Sequence, residues 1–195
     1  MAEILVLLVK TAFAVVLIAT AARFLAQIAD VDPYGPMADT VRKISGPFVR
    51  PVQMLVPRIG GLDTAAIIMI WVGQVAMALL LITLAPQFSA AIGTVLVGAA
   101  FATAGLILEV LRWSMIIVAI GSWLTSGQPN PLLAFLREMI EPFVAPFRKL
   151  NLQVGMLDLS YLLAFLVLYI LHGILRAIAY GMAPIGPIRV VFLGI

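Results

Sequence analysis

The sequence predicts an all-α membrane protein with four transmembrane helices, built as two parallel tandem repeats that each run helix, amphipathic interfacial loop helix, helix. Hydrophobic residues make up 64% of the 195 residues and charged residues only 11%, whereas a soluble domain is about half apolar and a quarter charged. The apolar residues form blocks of about 20 residues or more, long enough to cross a hydrocarbon core of about 30 Å. Residues 36–63 align without a gap with residues 131–158, and ten of the 28 positions are identical. The chain is therefore a duplication whose main solvent is lipid.

The first repeat, residues 1–86, supplies two spans. Residues 2–29 are longer than the hydrophobic region of a signal peptide and lack a small-residue cleavage site before Asp30, so we expect a retained transmembrane helix. Residues 64–85 carry no charge and stop at Pro86. This block is the clearest span of the chain.

The second repeat, residues 87–195, opens with a region that is too long for one span. Residues 87–125 exceed a bilayer core at about 1.5 Å per residue, yet residues 108–112 contain no turn signal. A single long helix and a kinked pair both remain open.

The internal alignment places the spans of the second repeat. Its shift of 95 residues lays residues 2–28 over residues 97–123. We therefore predict the third span at residues 97–125, after a helical lead-in at residues 87–96. The fourth span is predicted at residues 159–180.

The two loops between paired spans carry most of the basic residues. Because each repeat has two spans, both loops lie on the same side of the membrane. Their basic residues are Arg42, Lys43, Arg50, Arg58, Arg137, Arg148 and Lys149. The opposite face has little beyond Lys10, Arg176 and Arg189, and we expect Lys10 and Arg176 to snorkel to its surface. The positive-inside rule then places the loops in the cytoplasm and the termini outside.

Each loop contains a short amphipathic pattern. In the second loop an apolar side opposes Arg137, Glu138 and Glu141; it consists of Leu132, Leu133, Phe135, Leu136, Met139 and Ile140. The first loop repeats the pattern weakly, with Met37, Val41 and Ile44 against Asp39, Arg42 and Lys43. Both predict short helices lying in the membrane interface, where the basic residues meet anionic headgroups or a protein partner.

Proline pairs and a terminal aspartate follow each pattern. Pro47 and Pro51, like Pro142 and Pro146, are expected to forbid a continuous regular helix. Asp63 and Asp158 come where the next span begins, so each is expected to cap that helix by accepting hydrogen bonds from its first amides. A contact with a partner or an ion is the alternative role.

These segments carry a family resemblance. The relevant stretches are residues 32–36 (DPYGP), 47–51 (PFVRP), 57–63 (PRIGGLD) and 121–123 (GSW), with a degraded second copy of the motifs. They resemble the YggT family of integral membrane proteins, and the similarity covers nearly the whole chain. The second copy departs from the pattern at Ala145, Leu152 and Met156. The resemblance implies roles seen among relatives: osmotic or envelope stress tolerance, cell division, chloroplast nucleoid distribution, and maturation of the chloroplast cytochrome bf complex.

The sequence contains few of the residue types that catalytic and cofactor sites use, so we expect that the protein is not an enzyme and holds no cofactor. The chain has no cysteine and one histidine, which leaves neither a thiolate site nor an evident metal cage. Gly60 and Gly61 lack the lysine of a phosphate-binding loop. The only histidine, His172, is predicted deep in the fourth span, far from any serine and aspartate pair.

Polar residues at mid-membrane depth are the remaining candidates for a site. Counting from the loop side at about 1.5 Å per residue puts five of them in one layer: Gln74, Glu109, Arg112, Tyr169 and His172. Glu109 and Arg112 are three residues apart on one helix face and can pair. The layer is interpreted as a structural staple between the repeats, a solute or proton path, or a contact for haem or another ligand.

The sequence thus predicts a non-catalytic assembly or scaffold factor, with a small solute or ion transporter or channel as the alternative. Expected partners are the lipid bilayer and other membrane or division proteins, with homo-oligomerisation possible and no direct binding of nucleic acid. The candidate interaction or structural residues are Asp63, Asp158, Arg42, Arg50, Arg58, Arg137 and Arg148.

Overall fold

The computed structural model of the chain describes residues 2–56, 62–124, 128–150, 153–154, 157–158, 160–182 and 189–195. Six α-helices dominate it: α1 Ala2–Ile28, α2 Pro36–Leu55, α3 Thr64–Leu84, α4 Ile92–Leu124, α5 Pro131–Arg148 and α6 Ser160–Met182. Short 3₁₀ turns occupy Pro86–Phe88 and Arg189–Val191. Two strands of two residues each, β1 Gln153–Val154 and β2 Leu157–Asp158, pair antiparallel.

Four of these helices, α1, α3, α4 and α6, are long and apolar enough to cross a membrane. The predicted all-helical class with four long apolar helices is confirmed, with β1 and β2 as a small addition. Large apolar side chains on the outer faces of these helices are exposed, such as Leu7 at 66% and Leu162 at 64%. An outer surface of this kind suits hydrocarbon rather than water.

The long third region is one continuous helix. α4 runs for 33 residues through residues 108–112 without a turn, and at about 1.5 Å per residue it is roughly 50 Å long. The helical lead-in predicted at residues 87–96 is only partly correct, since α4 begins at Ile92. Pro86 disfavours helical backbone at Ala85, which adopts φ −138° and ψ 77°, so the chain leaves the helix there.

The prediction that the proline pairs prevent a continuous helix is wrong. α2 continues through Pro47 and Pro51, and α5 through Pro142 and Pro146. A proline removes one bond to the carbonyl four residues earlier. Because the two prolines of each pair are four residues apart, both losses fall on the same side of the helix and the remaining sides keep their bonds.

The apolar face of α5 packs into the protein core. Five of its six predicted apolar residues are buried, with only Leu132 exposed at 40%. Phe135, Met139 and Ile140 join the cluster formed by α1, α4 and α6. The apolar face of this predicted interfacial helix is therefore covered by protein.

The buried face of α2 is built from small residues. Ala38, Ser45, Gly46 and Val49 are buried. Ser45 lies seven residues after Ala38 and four before Val49, which places these three on one side of the helix, with Gly46 beside them. Of the predicted apolar side, Met37 and Val41 are half-buried against the core, whereas Ile44 is 37% exposed. α2 and α5 contact each other at the end of the bundle where α1 ends.

Candidate functional site

A polar layer crosses the middle of the bundle, and three helices supply it. Gln74 lies on α3, Glu109 and Arg112 on α4, and His172 on α6. Gln74 is completely buried and His172 is 2% exposed. Polar groups at this depth are costly unless they find partners.

The partner of this layer is the C-terminal segment, defined as residues 189–195. It returns into the bundle, where Val191 and Phe192 are buried at 1% and 3% exposure. At its start Lys10 of α1 donates to the carbonyl of Val190 at 2.8 Å. Lys10 is thus tied to this segment, although the sequence predicted only snorkelling.

Gln74 binds the C-terminal segment with both ends of its amide. Its Nε2 donates to the carbonyl of Leu193 at 2.8 Å, and its Oε1 accepts from the Leu193 amide at 3.1 Å. Irregular backbone at membrane depth is tolerated only where protein satisfies its polar groups. Gln74 therefore supplies the two hydrogen bonds that a neighbouring strand or helical turn would otherwise give to the Leu193 backbone.

His172 joins α6 to both the segment and α4. Its Nε2 lies 2.6 Å from the carbonyl oxygen of Gly194, and its Nδ1 lies 3.4 Å from Nη1 of Arg112. A guanidinium can only donate, so Nδ1 accepts and the ring proton resides on Nε2, which donates to Gly194. The short bond is the one to Gly194.

Two glycines allow this close approach. Gly194 has φ +95°, a conformation that side chains rarely adopt. A Cβ placed on Gly105 of α4 would lie 2.2 Å from the carbonyl oxygen of Gly194. The segment can therefore reach α4 only because position 105 has no side chain.

Glu109 pairs with two guanidinium groups rather than one. It lies 3.4 Å from Arg112, the pairing predicted from their spacing, and 3.8 Å from Arg176 of α6. The expectation that Arg176 only snorkels is incomplete, because its side chain reaches back to the layer. One carboxylate between two guanidiniums links α4 to α6.

Tyr169 does not belong to the layer, so its predicted membership is wrong. It is 59% exposed and stacks on Phe165, with ring centroids 6.5 Å apart. The buried side of α6 follows Ala164, Leu168 and His172 at four-residue spacing. Tyr169 directly follows Leu168, so it lies about 100° around the helix from that side.

Asp63 begins α3 at the N-cap position, yet its side chain makes no capping hydrogen bond. The capping prediction is wrong for this residue. Its Oδ2 accepts from Gln53 Nε2 at 2.7 Å and lies 3.6 Å from Arg23 Nε. The Asp63 amide itself donates to Gln27 Oε1 at 3.1 Å. Asp63 therefore ties the start of α3 to α1 and α2.

The remaining predicted residues are spread over the loop end of the bundle. Arg42, Arg50 and Arg137 are exposed on α2 and α5. Arg148 donates to Glu141 at 2.7 Å and to the Tyr161 hydroxyl at 2.6 Å, which clamps the end of α5 to the start of α6. Arg58 lies outside the described residues, and Asp158 lies in β2 with its side chain outside them. The basic residues thus form no single cluster.

Sequence reasoning missed two sets of residues. Arg23 and Gln27 are four residues apart at the loop end of α1, and this polar spacing in an apolar helix was an available signal. No local signal predicts that Leu193 and Gly194 return to the bundle. Within the described ranges, no group of three His, Asp or Glu side chains is placed to hold a metal ion.

Comparison with known proteins points to one family. A model of the CCB3/YggT family matches the chain twice, over residues 2–84 and 97–179. An uncharacterized protein of Pseudomonas aeruginosa is 30% identical over 147 residues, 75% of each chain. An uncharacterized protein from the proC 3' region of Vibrio alginolyticus is 29% identical over 165 residues, 82% of this chain and 86% of the relative. The uncharacterized protein YggT of Escherichia coli K12 is 27% identical over 149 residues, 75% of each chain. No solved structure matches the chain.

Proposed function

The chain belongs to the CCB3/YggT family, and from that premise we propose that it is a non-catalytic scaffold or assembly factor for other membrane or division proteins. It resides in the bacterial inner membrane with its two repeats parallel and the loop helices α2 and α5 in the cytoplasm. Stress tolerance, cell division and maturation of membrane complexes are the processes in which such a factor acts. The repeats divide between residues 86 and 87.

One observation favours scaffolding over transport. The polar groups at mid-membrane depth are engaged by the C-terminal segment and by each other: Gln74 with Leu193, His172 with Gly194, and Glu109 with two arginines. A transport path needs polar groups that face a cavity or exchange partners with solute. These groups instead hold the helices together, which is the staple role.

α2 supplies the docking edge of the proposed scaffold. Its outward side carries a stripe of Ile44, Phe48 and Leu55, of which Leu55 is 84% exposed. Lys43 and Arg50 flank the stripe on the next side of the helix. A partner helix with an apolar face and acidic margins complements this edge.

Crosslinking in native membranes tests the proposal. A photo-crosslinking residue at Phe48 is expected to capture a defined membrane partner, whereas the same residue at Leu7, exposed on the outer face of α1, serves as the matched control. Arg50→Glu should reduce the capture while the chain accumulates normally, since Arg50 is exposed.

A flux assay on the purified chain in liposomes tests the transport alternative. If it supports solute or ion flux, and substitution of His172 or Glu109 abolishes that flux, transport replaces scaffolding as the function. Equal crosslinking from Phe48 and Leu7 would also contradict the docking role of α2.

A further inference from the structure

A cavity of about 340 Å³ opens at the loop end of the bundle. The end of α1, the start of α2, Asp63 and Phe135 of α5 line it. Its charged lining residues are Arg23, Asp30, Arg42 and Asp63. The scaffold role does not require this cavity.

Asp63 lines the cavity with a side chain that has one oxygen without a hydrogen-bond partner. The residue is 3% exposed, and its Oδ1 has no hydrogen-bond partner although Oδ2 is bound by Gln53 and Arg23. A buried carboxylate oxygen without a partner is unfavourable. An N–H donor, best a cationic one, would satisfy it.

Arg42 brings the opposite charge. Among the described residues its guanidinium contacts only Asp39, at 3.9 Å, which is longer than a hydrogen bond. Asp39 is held more closely by Lys43, at 2.7 Å. The Arg42 fork is thus available to an oxyanion, and guanidinium groups bind phosphate in a bidentate manner.

The lining as a whole selects the ligand class. Two arginines and two aspartates sum to zero formal charge, and Arg23 already lies beside Asp63, so a ligand with one charge of each sign keeps the lining balanced. A ligand with both a phosphate and a primary ammonium meets this condition. Apolar lining by Ala26, Val41 and Phe135 accommodates the carbon atoms between and beside those groups.

We propose that this cavity binds a phosphoethanolamine group, with the phosphate on Arg42 and the ammonium on Oδ1 of Asp63. Arg23 adds positive charge beside the phosphate, and Asp30 adds negative charge at the cavity wall. The group is available from two sources, the headgroup of phosphatidylethanolamine and a free phosphoethanolamine-like metabolite. The position of the cavity at the end of a spanning helix places it at headgroup depth.

Lipid binding to the full chain in detergent micelles tests the assignment by native mass spectrometry. Phosphatidylethanolamine should bind about tenfold more tightly than phosphatidylcholine, whose quaternary ammonium has no N–H donor, or phosphatidylglycerol, which has no ammonium. Displacement of the lipid by millimolar O-phosphoethanolamine assigns the site to the free molecule, and retention of the lipid assigns it to the membrane. Equal binding of the three lipids overturns the proposal.

Variants localise the binding to this cavity. Arg42→Gln should weaken phosphatidylethanolamine binding about tenfold, and because Arg42 is exposed the variant is expected to fold. Arg137→Gln is the matched control, since Arg137 is the internal-repeat counterpart of Arg42, is exposed and lies outside the cavity. Asp63→Asn should remove the preference over phosphatidylglycerol. Equal effects of Arg42→Gln and Arg137→Gln would show that any bound lipid sits elsewhere and would overturn the assignment.

Discussion

Replacing Gln74 by leucine should release the C-terminal segment from the bundle. The substitution removes both hydrogen bonds to Leu193 and leaves its amide and carbonyl buried without these partners. Each unsatisfied group costs about 1–3 kcal/mol. Even the lower limit, about 2 kcal/mol for the pair, raises the undocked fraction of the segment about 30-fold. Leucine is a good helix former, so α3 itself should persist.

Cysteine labelling measures this undocking directly. The chain has no cysteine, and Val191 is 1% exposed, so a Val191→Cys variant reacts with N-ethylmaleimide only when the segment opens. The labelling rate should rise about 30-fold when Gln74→Leu is added. Thr103→Val is the control, because the buried Thr103 hydroxyl bonds only to Ala99 of its own helix. A rise below about threefold with Gln74→Leu would refute the account of the segment as held by Gln74.

Four further predictions concern the other parts of the molecule. Glu109→Gln should lower the amount of folded protein, measured by quantitative immunoblotting, more than Arg112→Leu does. Glu109→Gln leaves two guanidiniums facing each other, whereas Arg112→Leu leaves Glu109 paired with Arg176. The reverse order would contradict the three-residue arrangement. Asp63→Asn should destabilise the chain against heating in micelles almost as much as Asp63→Ala, since the carboxylate pairs with Arg23 and makes no cap; a harmless Asn variant would restore the capping role. An impermeant maleimide should label a cysteine at position 89 but not one at position 40 in intact cells. Thr40 is chosen as the loop site because it is exposed, whereas the nearby Ser45 is buried. Labelling at position 40 would reverse the proposed orientation. The hydrogen bond from Lys43 holds the pKa of Asp39 below its ordinary value of 3.8, so the contribution of this contact to stability is present above that value and is lost as the pH falls through the lowered pKa; Lys43→Met should bring the pKa, followed by carboxyl NMR, back toward 3.8.

The spans were predictable from sequence because their signal is local. Long apolar blocks bounded by Pro86 and by the loop motifs indicate transmembrane helices whatever they pack against. The Glu109 and Arg112 pair was predictable for a similar reason, since their three-residue spacing fixes their proximity on any helix. Predictions of this kind use only helical geometry.

Other features depend on contacts between distant parts of the chain. The burial of the α5 face and the pairing of Asp63 with Arg23 follow from how the helices pack, and the sequence does not encode that packing locally. The proline pairs were misjudged because each proline was treated alone, although the four-residue spacing places both missing bonds on one side. Tyr169 was misplaced since depth along a helix says nothing about which side a residue faces.

The return of the C-terminal segment into the bundle determines when the contacts of the polar layer can form during biosynthesis. Gln74 is made 119 residues before Leu193, its hydrogen-bond partner, an interval of roughly 6–24 s at 5–20 residues per second. All four long helices therefore leave the ribosome before the polar centre of the bundle can be completed. During that interval Gln74 lacks the backbone groups of Leu193 that later satisfy it. His172 waits a shorter time, because it is made only 22 residues before Gly194. The segment that completes the polar centre of the bundle is thus made after all four long helices.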